Sequence, residues 1–206
     1  MLGVVNYGVG NLRSVMAALS AAGVESLELI GPDDPFERFQ GLVIPGVGAF
    51  SVASQQLCHP TTINALKRFW SQGGKSLGIC LGMQVLFEWG LEGERSPGLG
   101  VCAGTVEPIP PEPGQRLPNM GWRPIEPVHS HPLFAGIGAD ATFYFCHSYR
   151  CLPRSENIVL ARTGYGRQSI VAAVAHEHAV GVQFHPEKSG ARGLALLRNF
   201  YHWCRE

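Results

Sequence analysis

The sequence lacks a net charge, because its 16 basic and 16 acidic side chains balance. Proteins that bind nucleic acid or anionic membranes by electrostatics carry a basic excess, so the balance argues against both partners. No apolar run reaches the roughly 20 residues that a membrane-spanning helix needs. Residues 1–7 lack the basic segment and long apolar core of a signal peptide. We expect a soluble, cytoplasmic protein.

Recognisable disulfide and metal patterns are also missing. The six cysteines lie at positions 58, 80, 102, 146, 151 and 204, and no two have the C-x-x-C spacing. Free thiols in a reducing compartment are the simplest interpretation. His176 and His178 suit one face of a strand, but no third ligand lies near them in the sequence. We therefore expect an ordinary turn there and no metal site.

A dinucleotide fingerprint is incomplete. Gly8-x-Gly10 follows an apolar strand, but Arg13 occupies the place of the third glycine. A bulky side chain there disturbs the close packing of helix on strand that such a site needs. We expect no cofactor.

Strands alternate with helices over the first 90 residues. Strands are predicted at 2–6, 24–30 and 41–45, and helices from Leu12 to Leu19 (with Asn11 as N-cap) and from Ile63 to Trp70. This alternation predicts βα units and a parallel sheet. Residues 91–140 carry most of the prolines, which favours short antiparallel or edge strands. Further strands are predicted at 142–147, 158–162, 170–175 and 181–184, before a helix at 194–203. Without a linker or repeat, residues 1–206 are expected to form one domain.

A strand that turns sharply into a helix is predicted around Cys80. An apolar run ends at Gly78, and a helix-compatible run extends from Leu81 to Glu88. Gly78-x-Cys80-x-Gly82 is the thiol counterpart of the nucleophile elbow, where glycines let strand and helix approach closely. The sulfur then lies at a helix N-terminus, which favours thiolate, and the Leu81 N–H faces the same space as an oxyanion donor. The alternative is a buried structural cysteine.

A base and an orienting group for such a nucleophile occur together near the C-terminus. In Phe184-His185-Pro186-Glu187, the proline restricts His185 to an extended backbone. Glu187, two residues on, is placed to hold the far imidazole nitrogen and fix its tautomer. The strand ends of an α/β sheet gather at one edge, where sites usually form. The alternative is a solvated loop.

A glycine-rich turn, Pro45-Gly46-Val47-Gly48, follows the third strand. Such a turn can aim backbone N–H groups at a developing oxyanion. The alternative is a tight turn that merely needs positive φ.

Together these strand-end motifs resemble the class I, triad-type glutamine amidotransferases. Further segments are similar to the family of glutaminase subunits of imidazole glycerol phosphate synthase, and the resemblance runs from about residue 3 to residue 203. The segments are Asn6-Tyr-Gly-Val-Gly-Asn-Leu-Arg-Ser14, Pro45-Gly-Val-Gly-Ala-Phe50, Gly78-Ile-Cys-Leu-Gly-Met-Gln84, Asn119-Met-Gly-Trp122, Phe143-Tyr-Phe-Cys-His-Ser-Tyr149 and Val182-Gln-Phe-His-Pro-Glu-Lys-Ser189. The fold it implies is a three-layer, flavodoxin-like α/β fold. Its central, mostly parallel sheet has helices on both faces and short antiparallel strands in the middle third.

The resemblance also implies an activity and a set of site residues. Cys80 attacks the side-chain amide carbon of L-glutamine, giving a glutamyl thioester and ammonia, while His185 moves the protons and Glu187 orients it. The implied oxyanion donors are the N–H groups of Val47 and Leu81. Positions expected around glutamine are Gly46, Gly48, Gln84, His147, Ser148 and Tyr149.

The ammonia donor of this family has a partner. The resemblance implies a heterodimer with a cyclase, a (β/α)8 barrel that makes imidazole glycerol phosphate in L-histidine biosynthesis. Candidates for the surface facing it are Asn11, Met120, Trp122, Tyr144 and Lys188. Asn119 stands where histidine is expected and Cys146 where valine is common; neither is expected to touch the triad.

Three alternatives share these motifs. The chain could be the glutaminase subunit of another synthase, a thiol hydrolase of γ-glutamyl peptides, or a non-catalytic regulatory module. Substrate selectivity and the identity of the partner separate the enzymes. The intact set of Cys80, His185 and Glu187 argues against the regulatory module.

Overall fold

A central eight-stranded sheet organises the structure, a computed structural model that describes residues 1–206. The strands are β1 (Leu2–Val5), β2 (Leu27–Ile30), β3 (Gly41–Gly46), β4 (Lys75–Cys80), β5 (Phe87–Gly90), β6 (Ser96–Pro97), β7 (Cys102–Pro108), β8 (Asn119–Pro124), β9 (Glu126–Pro127), β10 (Thr142–His147), β11 (Tyr149–Pro153), β12 (Val159–Tyr165), β13 (Gln168–His176) and β14 (Ala179–Val182). The helices are α1 (Leu12–Ala21), α2 (Phe50–Leu57), α3 (Pro60–Ser71), α4 (Leu81–Gln84) and α5 (Gly190–Trp203).

The central sheet has the strand order β2-β1-β3-β4-β14-β13-β12-β9. Its first five strands pair in parallel and the last four antiparallel, with β14 belonging to both sets. β8 and β10 form a two-stranded antiparallel sheet, and β11-β7-β5-β6 forms a four-stranded one. The predicted fold class, with short, largely antiparallel strands in the middle third, is confirmed.

Side chains of the sheet alternate between two hydrophobic cores. In β1, Leu2 and Val4 belong to one core and Val5 to the other, as the period of two in a strand requires. Helices α1 and α5 contribute to the first core, and α2 and α3 to the second. The sheet is therefore covered on both faces, which explains why its parallel strands read as nearly continuous apolar runs.

The turn from β4 into α4 depends on two close contacts. A side chain at Gly78 would collide with the carbonyl oxygen of Gly82, and one at Gly82 with the carbonyl oxygen of Ile44 in β3. Between them Cys80 has a φ of +55°, a left-handed conformation that is costly for a residue with a Cβ. The elbow is thus wedged against β3, and its backbone strain is held by packing.

Some predicted elements were wrong in extent. The helix after the elbow ends at Gln84 and not at Glu88, because Phe87 joins β5 and pairs with β7. Helix α2 was not predicted. Asn11 precedes α1 as expected, but its side chain makes no capping hydrogen bond. No helix is long and apolar enough to cross a membrane.

Gly82→Ala tests the close packing of the elbow against β3. We expect the free energy of unfolding to fall by about 1–3 kcal/mol, because the added Cβ forces β3 and the elbow apart. Chemical denaturation of both proteins measures the difference. Gly164→Ala is the matched control, since no atom lies within 4 Å of a Cβ there, and its stability should stay within about 0.5 kcal/mol of the wild type. Equal stability of the two variants would contradict the proposed close packing.

Candidate active site

Three neighbouring strands deliver the predicted motifs to one edge of the sheet. In the parallel register, Gly46 at the end of β3 lies opposite Cys80 at the end of β4. On the other side of β4, Val182 lies opposite Ile79, so the chain leaving β14 reaches His185 at the same edge. The carboxyl ends of parallel strands are where ligand sites of α/β sheets form.

Cys80, His185 and Glu187 form a buried triad. Nδ1 of His185 donates to Oε1 of Glu187 at 2.8 Å, and the side chains of the two residues are 3% and 1% exposed. Cys80 and His185 line the same cleft, and the interaction of the thiol with the imidazole raises the pKa of His185. A solvated loop is therefore excluded for His185 and Glu187. The arrangement has the geometry of a nucleophile, a base and an orienting carboxylate.

The electrostatics favour a protonated imidazole. Burial by itself opposes the charge on His185, but its hydrogen bonds to Cys80 and Glu187, and their charges, outweigh burial and raise its pKa to about 10. An imidazolium is the form that stabilises a neighbouring thiolate. Burial raises the pKa of Cys58 to about 11 and of Cys102 and Cys204 to about 12, so these thiols are poor nucleophiles.

A cleft of about 210 Å³ opens onto the triad. Its volume is below the range usual for drug-sized ligands and suits a small molecule such as an amino acid. It is lined by Val47, Gly48, Cys80, Leu81, Gln84, Cys146, His147, Ser148, Tyr149, His185 and Lys188. Gly46 does not line it, but packs against the elbow, where a Cβ would lie 2.8 Å from Cβ of Leu81. A larger groove of about 600 Å³ along residues 127–137 contains none of these residues.

Sequence reasoning missed Gln183, whose buried side chain contacts Cys80. Its Nε2 donates to Sγ of Cys80 at 3.6 Å, and its Oε1 accepts from Nε2 of Gln84 at 3.1 Å. The period of two along the extended chain was the available signal, because it places Gln183 on the same face as His185.

His147 lies beside the cleft, neutral and held by two hydrogen bonds. Its Nδ1 lies 2.6 Å from the carbonyl oxygen of Tyr149, which can only accept, so Nδ1 carries the proton. Nε2 then accepts from Nδ2 of Asn119 at 2.9 Å, and Oδ1 of Asn119 accepts from Nε of Arg123. Burial lowers the pKa of His147 to about 4, and the charges of His185 and Arg123 act in the same direction.

Cys146 departs from the sequence-based expectation. It was expected not to touch the triad, but its carbonyl oxygen lies 3.9 Å from Sγ of Cys80, within reach of a thiol S–H. This contact uses the backbone, so it depends on the path of β10 and not on the side chain at position 146.

Four of the five residues predicted to face a partner form a patch beside the cleft. The ammonium group of Lys188 lies 5.8 Å from the ring centre of Tyr144, which meets Trp122 edge-on at 6.2 Å. Met120 pairs with Cys146 across the two-stranded sheet. Met120 and Trp122 are 56% and 57% exposed, unusually high for large apolar side chains. Asn11 precedes α1, a helix that packs against residues 186–188.

Metal ligands do not converge in this structure: no group of three or more His, Cys, Asp or Glu side chains could hold an ion. The turn expected at His176–His178 joins β13 to β14, with Glu177 at a φ of +50°.

Comparison with known proteins identifies relatives over nearly the whole chain. A model of the family "Glutamine amidotransferase class-I" matches residues 4–204. The imidazole glycerol phosphate synthase subunit HisH of Synechococcus sp. (strain JA-3-3Ab) is 43% identical over 200 residues, which cover 97% of this chain and 92% of the relative. The protein of the same name from Symbiobacterium thermophilum is 42% identical, covering 96% and 91%.

Solved structures share the fold at lower identity. PurLQS from Thermotoga maritima superposes with a TM-score of 0.76 at 18% identity, covering 98% of this chain and 97% of that one. A crystal structure of a glutamine amidotransferase gives a TM-score of 0.74 at 20% identity, covering 100% and 99%.

The two site histidines should contribute to the stability of the folded protein with opposite dependences on pH. Below pH 6.5 the unfolded chain protonates His147 while the folded protein keeps it neutral, so stability falls as the pH drops from 6.5 towards 4. Above pH 6.5 the folded protein retains the proton on His185 that the unfolded chain loses, so stability falls as the pH rises towards 10.

Urea denaturation between pH 5 and 9 measures both slopes. We expect His147→Gln to flatten the acid slope by about 2 kcal/mol and His185→Gln the alkaline slope by about 3 kcal/mol over that range. If both variants kept the wild-type slopes, the charge states assigned to these side chains would be wrong.

Proposed function

This chain belongs to the class I glutamine amidotransferases, in the family of HisH-type glutaminase subunits of imidazole glycerol phosphate synthase, and from this membership we propose how its residues act. It hydrolyses L-glutamine to glutamate and ammonia for histidine biosynthesis, as its motifs led us to expect. The observation that carries the residue assignment is the triad at the sheet edge, where His185 is hydrogen-bonded to Glu187 and lines the same cleft as Cys80. We propose that residues 1–206 act as one glutaminase domain.

In the first step, the thiolate of Cys80 attacks the side-chain amide carbon of glutamine. The new C–S bond pushes the carbonyl electrons onto oxygen. N–H groups of Val47 and Leu81, two residues that line the cleft, are the proposed donors to this oxyanion. The imidazolium of His185 then protonates the amide nitrogen, the C–N bond breaks, and ammonia leaves a glutamyl thioester.

In the second step, water hydrolyses the thioester. Neutral His185 accepts a proton from the attacking water, and the C–S bond breaks to release glutamate and regenerate the thiolate. Glu187 keeps Nδ1 of His185 protonated throughout, so that the other ring nitrogen faces the sulfur and the leaving group. Gln84, His147, Ser148, Tyr149 and Gly48 line the cleft around the proposed glutamine site, and Gly46 supports it from behind by packing against Leu81.

We further propose that the ammonia passes to a cyclase partner. The exposed patch of Met120, Trp122, Tyr144 and Lys188 adjoins the cleft, and exposed apolar residues of this size are typical of interfaces. A (β/α)8 barrel is the proposed partner, bound as a heterodimer, with Asn11 near the rim of the interface. All six cysteines are free, which suits a cytoplasmic enzyme that depends on a reduced thiol.

Met120→Glu tests the proposed interface. A buried charge at this position should weaken binding of the cyclase by about tenfold or more, which titration of one subunit into the other measures. Leu29→Glu is the matched control. Leu29 is 47% exposed on β2, at the edge of the central sheet, and its variant should bind as the wild type does. If both variants bound the cyclase equally well, the interface would have to lie elsewhere on the surface.

Cys80→Ala tests the nucleophile in the assembled complex. Glutamine hydrolysis should fall by more than about a thousandfold, because no other group can form the thioester. Binding of the partner and synthesis from added ammonia should persist. Cys58→Ala, at a cysteine that does not line the cleft, should retain full activity.

The partner also decides between the related enzymes. Glutamate release at the wild-type rate from the Cys80→Ala complex would overturn the assignment. Recovery from cell extract of a different synthase, in place of the barrel cyclase, would favour the glutaminase subunit of that synthase.

A further inference from the structure

We propose that Gln183 is a further catalytic residue, which donates a hydrogen bond to the Cys80 sulfur and stabilises the attacking thiolate. The inference rests on the proposed function, in which Cys80 is the nucleophile. It adds a neutral donor to a triad whose other members are a base and its orienting carboxylate.

The contact is direct and shielded from water. Nε2 of Gln183 lies 3.6 Å from Sγ of Cys80, a usual length for an N–H to sulfur hydrogen bond. Gln183 is fully buried, so water does not compete for its amide. Hydrogen bonds to charged groups are stronger than neutral ones, and more so where the surroundings are apolar. The same amide therefore stabilises thiolate more than thiol.

The orientation of the amide is set by Gln84. Nε2 of Gln84 donates to Oε1 of Gln183 at 3.1 Å, which turns the NH₂ end of Gln183 towards the sulfur. Gln84 also lines the cleft. Gln183 thus connects Gln84, at the proposed glutamine site, to the nucleophile Cys80. A contact between substrate and Gln84 would therefore affect the orientation of the amide that donates to Cys80.

The two protonation states of the sulfur have different partners. A thiol S–H can donate to the carbonyl oxygen of Cys146, 3.9 Å away, whereas a thiolate can only accept. Gln183 and the imidazolium of His185 are the donors available to the thiolate. Because Gln183 is uncharged, it stabilises the anion without opposing the protonation of His185.

Gln183→Met and Gln183→Glu in the full complex test this role. Methionine keeps the length of the side chain but has no donor, and glutamate keeps the acceptor for Gln84 while placing a carboxylate beside the sulfur. We expect the pH midpoint of Cys80 alkylation by iodoacetamide, followed by mass spectrometry, to rise by about one unit or more. The value of kcat for glutamine should fall about 10- to 100-fold, with a smaller change in KM.

Thr163→Val is the matched control. Thr163 is also buried, in β12, and donates to the carbonyl oxygen of Pro124 at 2.9 Å. Its variant also loses a buried hydrogen bond, but it should keep the wild-type alkylation midpoint and kcat. Synthesis from added ammonia should stay at the wild-type rate in every variant, which shows that the complexes are assembled. If one of the two Gln183 variants does not fold, the other is sufficient to test the role of Gln183.

The outcomes separate this inference from the function on which it rests. A wild-type alkylation midpoint and kcat in a folded Gln183 variant, with Cys80→Ala inactive, would overturn only the role of Gln183. Glutaminase activity that persists in Cys80→Ala would overturn the assignment of the nucleophile itself. A shift equal to that of Thr163→Val would show that Gln183 acts by packing alone, and would also overturn the inference.

Discussion

The register of three parallel strands is the constraint on which the site depends. Backbone hydrogen bonds hold Gly46 opposite Cys80 and Val182 opposite Ile79. A slip of one residue in β4 would turn Cys80 to the other face of the sheet, away from His185. The contact between Gly82 and Ile44 resists such a slip, because the elbow fits against β3 only where no side chain intervenes. The packing that holds the sheet together therefore also orients Cys80, the proposed nucleophile.

Within this frame, two buried histidines have opposite charge states, because only the partners of His185 outweigh the effect of burial. His185 faces the acceptor Glu187 and the Cys80 thiol, and holds a proton. His147 faces a carbonyl oxygen and an amide, with Arg123 nearby, and remains neutral. Both rings are almost fully buried, so burial alone would make both neutral. The site thus concentrates its positive charge on His185, the imidazole proposed to protonate the leaving group.

Features that depend on residues close together in the sequence could be predicted from it, whereas features that depend on residues distant in the chain could not. The elbow and the His185–Glu187 pair are local patterns, and the structure brings them together where parallel strand ends should meet. Family membership, expected from the motifs, is confirmed by full-length relatives. The helix beyond Gln84 was overextended because Phe87 is taken up by pairing with β7, which local periodicity does not reveal. Gln183 donates to a residue 103 positions away in the chain, so the local period of two could place it on the face of His185 but could not show its contact with Cys80.

The substitution of asparagine for the expected histidine at position 119 has a physical explanation in the same terms. The residue is fully buried and must satisfy both a nitrogen of His147 and the guanidinium of Arg123. An amide does this without ionising, because it offers an N–H on one side and an oxygen on the other. An imidazole there would add a titratable group beside His147. Position 119 therefore supports the wall of the cleft, and asparagine keeps that wall neutral while His185 carries the charge.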